Sequence, residues 1–131
     1  MKNTIFLLAC AAWLTACQEP LEQRVAREVR ETTESRCPMP IGNNLILDSI
    51  TFDIPTLTQS QYFRLIGNDD NDSIAIKIAP EAKRVLIAEL KKEPNYKLML
   101  ERGFNFHYVY RSNLNPEKVY LEILLTKEDY Q

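Results

Sequence analysis

Residues 104–110 read Phe104-Asn105-Phe106-His107-Tyr108-Val109-Tyr110. Every second side chain is aromatic, which is the period of a β-strand with one apolar face. Because such a row carries a large apolar area directly after a helical segment, we expect it to pack under a helix as core. The alternative is a binding surface: Tyr108 and Tyr110, with His107 on the other face, are the residues that could meet a partner.

The chain on both sides of this strand continues the β pattern. A turn at 112–116 leads to Val119, Leu121, Ile123 and Leu125, whose alternation predicts the partner strand of a hairpin. Upstream, β-branched and aromatic residues at 45–52 and 62–66 predict two antiparallel strands. These four segments indicate an antiparallel sheet of about four strands.

A helical layer is predicted between the two pairs of strands. Pro80 fits the first turn of a short amphipathic helix that ends near Lys91, and a second helical segment after Pro94 is closed by Gly103. Before them, the polar turn at 67–72 is followed by three alternating isoleucines at 74–78, which favour a short strand or extended edge. The order of elements predicts an α+β fold whose sheet is covered on one face by helix.

The first seventeen residues have the layout of an export signal. An early charge at Lys2 precedes an apolar run at 5–14 that is too short to span a bilayer. The run ends in Leu14-Thr15-Ala16-Cys17, which resembles the lipobox of bacterial lipoproteins. The alternatives are an ordinary secretory signal with a chance cysteine, or a buried N-terminal helix.

The lipobox resemblance implies a processing site and an address. Residues 1–16 would be a signal peptide, and Cys17 would be acylated and become the new N-terminus, anchored in a membrane. In lipoproteins of the enterobacterial type an aspartate after the cysteine favours the inner membrane, and this chain has Gln18 there. The resemblance therefore implies the outer membrane. The domain would face either the periplasm or the exterior, and we predict the periplasm.

Residues 17–36 are predicted to be a charged, partly helical tether. Leu21, Val25 and Val29 form only a narrow apolar stripe, so we expect a spacer between lipid and domain, with a docked helix as the alternative. Cys37-Pro38-Met39-Pro40 stops any helix, which places the start of a single domain, 37–131, at Cys37.

A second resemblance concerns the segment around the aromatic strand. Residues 100–110, from Leu100 through Gly103 to Tyr110, are similar to a helix-glycine-aromatic-strand junction of small bacterial lipoproteins of unknown function. This similarity supports the fold and implies no activity.

The charge balance argues against a nucleic-acid partner. The sequence has 16 basic and 18 acidic side chains, for a formal charge of −2. The basic residues near the N-terminus alternate with acidic ones instead of forming a basic face. We therefore predict no binding to nucleic acid.

No pattern in the sequence predicts a catalytic, metal or cofactor site. Cys37 and His107 are the only thiol and imidazole after Cys17, and neither has the flanks of a catalytic dyad, so we interpret them as a packed or surface thiol and a half-exposed strand residue. The acidic turn at 68–72 could hold calcium weakly, but it lacks the glycine and closing glutamate of known loops. We interpret it as a solvated hairpin tip.

Three functions are compatible with these observations. The first is a non-enzymatic envelope lipoprotein that binds a protein or an envelope polymer near the membrane. The alternative is a periplasmic inhibitor or immunity protein that neutralises a hydrolase or toxin. The third, an enzyme that uses Cys37 or acidic side chains, has no motif to support it.

Overall fold

The computed structural model describes residues 19–131, and its centre is a five-stranded sheet in the order β1-β2-β3-β4-β5. All neighbouring strands are antiparallel except β3 and β4, which are parallel. The predicted α+β class is confirmed, with one strand more than expected and one parallel pair. The strands are β1 Met39–Gly42, β2 Leu45–Asp53, β3 Thr58–Leu65, β4 Asn105–Ser112 and β5 Val119–Leu125.

The helices are distributed unevenly along the chain. One precedes the sheet, two lie between β3 and β4, and a single turn closes the chain; they are α1 Leu21–Arg36, α2 Asp72–Lys92, α3 Lys97–Glu101 and α4 Lys127–Tyr130. Short 3₁₀ turns occupy Gly67–Asp69 and Pro94–Tyr96. Because parallel strands need a long crossover, the segment with α2 and α3 is what allows β4 to pair with β3 in that direction.

The core lies between the helices and one face of the sheet. Phe104 and Phe106 are completely buried and Tyr108 is 4% exposed. They belong to one cluster with apolar residues of all four helices, so the prediction that the aromatic row packs under helix is confirmed. The helical members of this cluster are Leu21, Val25, Val29, Leu90, Met99 and Tyr130.

Helix α1 is part of the folded unit. Leu21, Val25 and Val29 are all buried in the common core, so the docked helix, rather than the spacer, describes this segment. At its C-terminal end the Thr33 hydroxyl donates to the carbonyl of Ile50 at 2.8 Å and accepts from its amide at 2.9 Å. The narrow apolar stripe is enough to dock the helix because all of it packs into the common core. The folded unit therefore begins at Leu21 rather than at Cys37.

Helix α2 starts much earlier than the sequence suggests. The isoleucines at 74–78 lie inside it, so the predicted strand is wrong, and Pro80 is in its interior instead of its first turn. The Asn71 side chain caps the helix by accepting a hydrogen bond from the Ile74 amide at 3.0 Å. This cap and the tertiary contacts of the helix prevail over the β preference of isoleucine. Ile76 is 74% exposed.

The turn that leads from α3 into β4 was correctly anticipated. Gly103 has a φ of +73°, a conformation that costs glycine little. The amides of Gly103 and Phe104 donate to the carbonyls of Leu100 and Met99 at 3.1 and 3.0 Å, which closes the helix as a Schellman motif. The aromatic strand is thereby aimed back under the helices.

The signal segment, the lipobox and Cys17 lie outside the described residues. Among residues 19–131, no helix combines the length and the apolar character that crossing a membrane requires.

Candidate functional site

An apolar groove of about 420 Å³ lies between α2 and the β4–β5 end of the sheet. We call it the α2 groove. Its wall is the middle of α2, its floor is Tyr110 and Leu121, and its residues are Lys77, Ile78, Glu81, Ala82, Val85, Leu86, Tyr110 and Leu121. Apart from Lys77 and Glu81 at the rim, and the Tyr110 hydroxyl, these side chains offer only hydrocarbon.

The groove lies along the middle of α2, between the two buried residues of this helix. In this 21-residue helix only Ala75 and Leu90 are buried. Between them, Ile78 is 39% exposed and Val85 is 46% exposed, although both line the groove between the helix and the sheet. Amphipathic helices normally bury such side chains, so their exposure marks a surface that is available to another molecule.

Polar contacts attach the start and the middle of α2 to neighbouring elements. Lys118 Nζ lies 2.5 Å from Asp72 Oδ1 at the start of the helix. Asp70, just before it, accepts hydrogen bonds from the Leu114 amide at 2.9 Å and the Tyr120 hydroxyl at 2.7 Å. Lys83 pairs with Asp129 of α4 at 2.8 Å. These contacts attach α2 to β5, to the turns that flank it and to α4.

The floor of the groove is rigid. The Tyr110 ring stacks on Phe63 of β3, with centroids 4.7 Å apart and planes inclined by 11°. Burial raises the pKa of Tyr110 to about 12, so its hydroxyl stays protonated at neutral pH. A second hollow of about 400 Å³, with Ile76 and Val119 on its walls, adjoins the first turns of the same helix.

The three residues proposed as a partner surface do not form one surface. Tyr108 is buried in the core, and burial raises its pKa strongly. Tyr110 is half-buried and belongs to the α2 groove. His107 points to the opposite face of the sheet, as the alternation requires, and is half-buried there.

His107 joins three strands on that face. Its Nδ1 lies 3.0 Å from Ser60 Oγ of β3, and its Nε2 lies 2.7 Å from Glu122 Oε1 of β5. The edge of its ring meets Tyr62, with centroids 6.3 Å apart. The Ser60 hydroxyl, the His107 imidazole and the Glu122 carboxylate thus form a continuous hydrogen-bonded row. Ser60, however, is 8% exposed and lies mid-strand, where β3 is paired on both sides. No backbone amide is free there to stabilise an oxyanion, so we interpret these hydrogen-bonded side chains as a structural link between the strands.

The other candidate groups have structural partners. Cys37 is a half-buried free thiol packed against the core. It does not pair with His107, whose two ring nitrogens are hydrogen-bonded to Ser60 and Glu122. In the acidic turn, Asn71 caps α2, Asp70 binds the β4–β5 hairpin and Asp72 pairs with Lys118. Within residues 19–131 there is no group of three or more His, Cys, Asp or Glu side chains placed to hold a metal ion.

The sequence interpretation missed most of the α2 groove. The alternation at 74–78 predicts an extended segment that includes Ile78, and the amphipathic pattern after Pro80 predicts a helix that covers the sheet. A signal was present: Ile74, Ile78, Ala82 and Val85 follow a helical spacing of four, four and three, which runs through Pro80. The sequence pattern does not predict that this stripe stands away from the sheet.

Comparisons with known proteins give a family and a fold. The model of the family DUF8479, described as a domain of unknown function, matches residues 20–121. No curated protein sequence matches the chain.

Several solved structures share the fold at low sequence identity. A candidate secreted protein of Pseudomonas aeruginosa is 11% identical, with a TM-score of 0.60, and the match covers 87% of this chain and all of that one. The pilotin EpsS of the Vibrio vulnificus type 2 secretion system is 12% identical, with a TM-score of 0.59 over 85% and 92% of the two chains. The type II secretion system pilotin AspS of Vibrio cholerae is 16% identical, with a TM-score of 0.56 over 83% and 91%.

Proposed function

We propose that this chain, which belongs to the DUF8479 family, is a lipid-anchored, non-enzymatic accessory protein of the bacterial envelope. The family match spans nearly the whole folded unit, so the proposal concerns this unit as a whole. It binds an apolar segment of another envelope protein in the α2 groove. The observation that carries the proposal is the exposure of Ile78 and Val85 above the Tyr110 floor. The lipobox resemblance at Cys17 supports the anchor, and the fold shared with two secretion-system pilotins supports an accessory role.

The chemistry of the groove specifies the partner segment. Hydrocarbon walls bind apolar side chains through the area that they remove from water. At the rim, Glu81 is paired with Arg84 at 2.7 Å, whereas Lys77 makes no ion pair with any residue from 19 to 131. An apolar segment with a neighbouring carboxylate matches both features. Rim charges of this kind act mainly on the association rate and its salt dependence.

The proposed lipid anchor and the docked helix together limit the distance between the folded unit and the membrane. If Cys17 carries the lipid, only three residues, 18–20, lie between it and Leu21, the first residue of α1, which is a span of four residue steps. At about 3.5 Å per extended residue, the folded unit stays within roughly 14 Å of its attachment point. A partner must therefore present its segment at the membrane surface.

Photo-crosslinking in intact cells tests the groove. A photoreactive residue at Ile78 should crosslink an envelope protein, and the same probe at Leu114, which is 85% exposed on the β4–β5 turn, should not. Mass spectrometry of the product should map the crosslink to an apolar segment. A synthetic peptide of that segment should then bind the purified protein at least about tenfold more weakly when Val85→Asp is introduced, since a carboxylate in an apolar contact has no partner.

Leu114→Asp is the matched control and should leave peptide binding unchanged. Equal binding of the peptide to wild type and Val85→Asp would refute the groove. A crosslink to a hydrolase or toxin that the purified protein inhibits would instead favour an inhibitor or immunity protein.

A further inference from the structure

The two edges of the sheet differ in how well they are protected against pairing with another strand. At one edge, β1 has only four residues, which include Pro40, and its pairing with β2 is interrupted by a register shift between Pro40 and Gly42. Proline has no N–H group to donate, and short or irregular edge strands offer little to a further strand. β1 is therefore a blocked edge.

At the other edge, β5 lacks most of these protections. Its seven residues, Val119–Leu125, contain no proline, glycine, lysine or arginine, and Glu122 is the only charged one. The register shift opposite Tyr110 and Arg111 affects only the beginning of the strand. A long, apolar edge strand of this kind is able to pair with a further strand. β5 is therefore the open edge of the sheet.

The outer backbone groups of β5 have no backbone partner in the described part of the chain. Within residues 19–131, β4 is the only strand paired with β5, and no other backbone hydrogen bond reaches residues 119–125. In an antiparallel edge strand, the N–H and C=O groups of alternate residues point away from the neighbouring strand. Val119, Glu122 and Leu124 are exposed, so solvent reaches this edge. The edge thus presents donors and acceptors at the spacing of an extended chain.

A hollow of about 400 Å³ lies beside the first part of β5 and adds apolar surface to this edge. Val119 lines it from β5, and Ile76 and Ala79 line it from α2. Ile76 is 74% exposed and Val119 is 41% exposed. Asp72 and Lys118, also in the lining, form an ion pair with each other, so they attract no further charge strongly. The hollow shares no residue with the α2 groove.

We propose that β5 accepts an extended segment of a partner protein as a sixth strand, with apolar side chains of that segment packed on Ile76 and Val119. In this mode of recognition, main-chain hydrogen bonds supply affinity and alternate side chains supply specificity. Glu122, whose side chain is 59% exposed in the middle of the strand, favours a basic residue opposite it. The proposal goes beyond the function of the α2 groove, since it concerns a different surface.

A second copy of this chain matches the edge less well than a partner segment. In the antiparallel register that pairs all of β5 with its symmetry mate, Glu122 would lie opposite Glu122 of the other copy. Like charges directly opposite each other destabilise a strand pair. A segment with a basic residue at that position avoids this repulsion.

Titration with two peptides tests the proposal. The protein is the chain from residue 17 onward with Cys17→Ser, which contains every described element, labelled with ¹⁵N. The first peptide matches the seven residues of β5 in length and alternates isoleucine and valine with threonine and lysine. In the second peptide every internal amide is N-methylated, which keeps the side chains and removes the backbone donors.

The first peptide should shift the amide resonances of β5 and Ile76, and nuclear Overhauser contacts should connect its backbone with that of β5. The second peptide should bind at least about tenfold more weakly, as the loss of several hydrogen bonds implies. Ile76→Ser removes apolar contact and should weaken binding of the first peptide at least about fivefold. Leu114→Ser, at an 85% exposed position on the β4–β5 turn, is the control and should leave it unchanged.

Several results would overturn the proposal. These are absence of binding, equal binding of the two peptides, unchanged binding to Ile76→Ser, and Overhauser contacts only to β1 or to the α2 groove. Sedimentation of the peptide-free protein as a dimer paired through β5 would also overturn it, because the edge would then belong to a second copy. The comparison of the two peptides on the unsubstituted surface does not depend on the folding of any variant at Ile76.

Discussion

Phe106 shows how one side chain of the aromatic row can belong to several elements at once. Its ring is completely buried, meets the edge of Tyr96 at 5.7 Å and that of Tyr130 at 6.2 Å between centroids, and pairs across the strand with Leu125. Tyr130 in turn donates its hydroxyl to the carbonyl of Phe104 at 2.7 Å. The last helix is thus fastened to the first residues of the aromatic strand.

We predict that Phe106→Ala lowers the free energy of unfolding by about 3–5 kcal/mol, the usual cost of emptying a buried aromatic site. Urea denaturation of the chain from residue 17 onward, with Cys17→Ser, measures it. Leu114→Ala, at an 85% exposed position, should stay within about 0.5 kcal/mol of wild type. A Phe106→Ala protein that melts like wild type would mean that the row is not core.

Asp70 is the residue through which pH should act on the β4–β5 hairpin. Hydrogen bonds from Ser112, Tyr120 and the Leu114 amide hold its pKa below the ordinary value of 3.8. A carboxyl with a lowered folded pKa contributes stability above its ordinary pKa and loses it as pH falls through the folded value.

Asp70→Asn should therefore melt at a lower temperature than wild type at pH 7, since the amide retains an acceptor without the charge. The difference in melting temperature should shrink below about pH 4 and vanish once wild type is protonated. Asp69→Asn is the control, because the Asp69 side chain makes no hydrogen bond to any residue from 19 to 131. A difference that is constant from pH 7 to pH 2 would contradict the assignment.

At the scale of elements, α1 and α2 depart from their sequence patterns in opposite ways. Helix α1 has a narrow stripe and buries all of it, with Glu22 further pairing with Arg102 beyond α3 at 3.0 Å. Helix α2 has more apolar residues and buries only Ala75 and Leu90. Its start and its middle are attached by ion pairs to Lys118, next to β5, and to Asp129 of α4. The amount of apolar surface in a helix does not by itself tell how closely the helix approaches a sheet.

Val25→Ala should destabilise the fold by about 1–3 kcal/mol if α1 is a docked helix, and by nothing if it is a spacer. Arg30→Ala on the exposed side of the same helix is the control and should change stability by less than about 0.5 kcal/mol. Thermal or urea melts of both variants decide between the two descriptions. We also expect the chain from residue 37 onward to fail to fold, since it lacks three core residues.

At the scale of the whole molecule, the helical layer presents two different recesses to a partner. The α2 groove is apolar and lies at the β4–β5 side, and a second pocket, of about 260 Å³, lies between α1 and the β2–β3 side. The opposite face of the sheet is linked by the Ser60, His107 and Glu122 side chains. The pocket beside α1 includes Leu21 and is therefore the recess next to the proposed lipid attachment point.

Cys17→Ser should abolish acyl labelling and release the protein from the membrane fraction, because only this thiol precedes the folded unit at the lipobox position. Cys37→Ser should label and sediment like wild type. Metabolic labelling with a fatty-acid analogue and membrane fractionation measure both. If Cys17→Ser still labels and still sediments with membranes, the lipobox interpretation is wrong.

Features whose signal is local can be predicted from the sequence alone. The strict alternation of residues 104–110 established a strand with a buried aromatic face, and Gly103 established the turn before it, because period and backbone conformation are properties of neighbouring residues. The α+β class followed from the order of such segments.

Only the tertiary structure decided the features that depend on distances between elements. It showed that Leu21, Val25 and Val29 reach the core and that Ile74–Ile78 is helical. It also placed β4 parallel to β3, left α2 standing away from Tyr110, and buried Gln59 Oε1 without a partner. The physical reason is that burial and pairing are set by what lies opposite a residue, and residues far apart in the chain supply that surface.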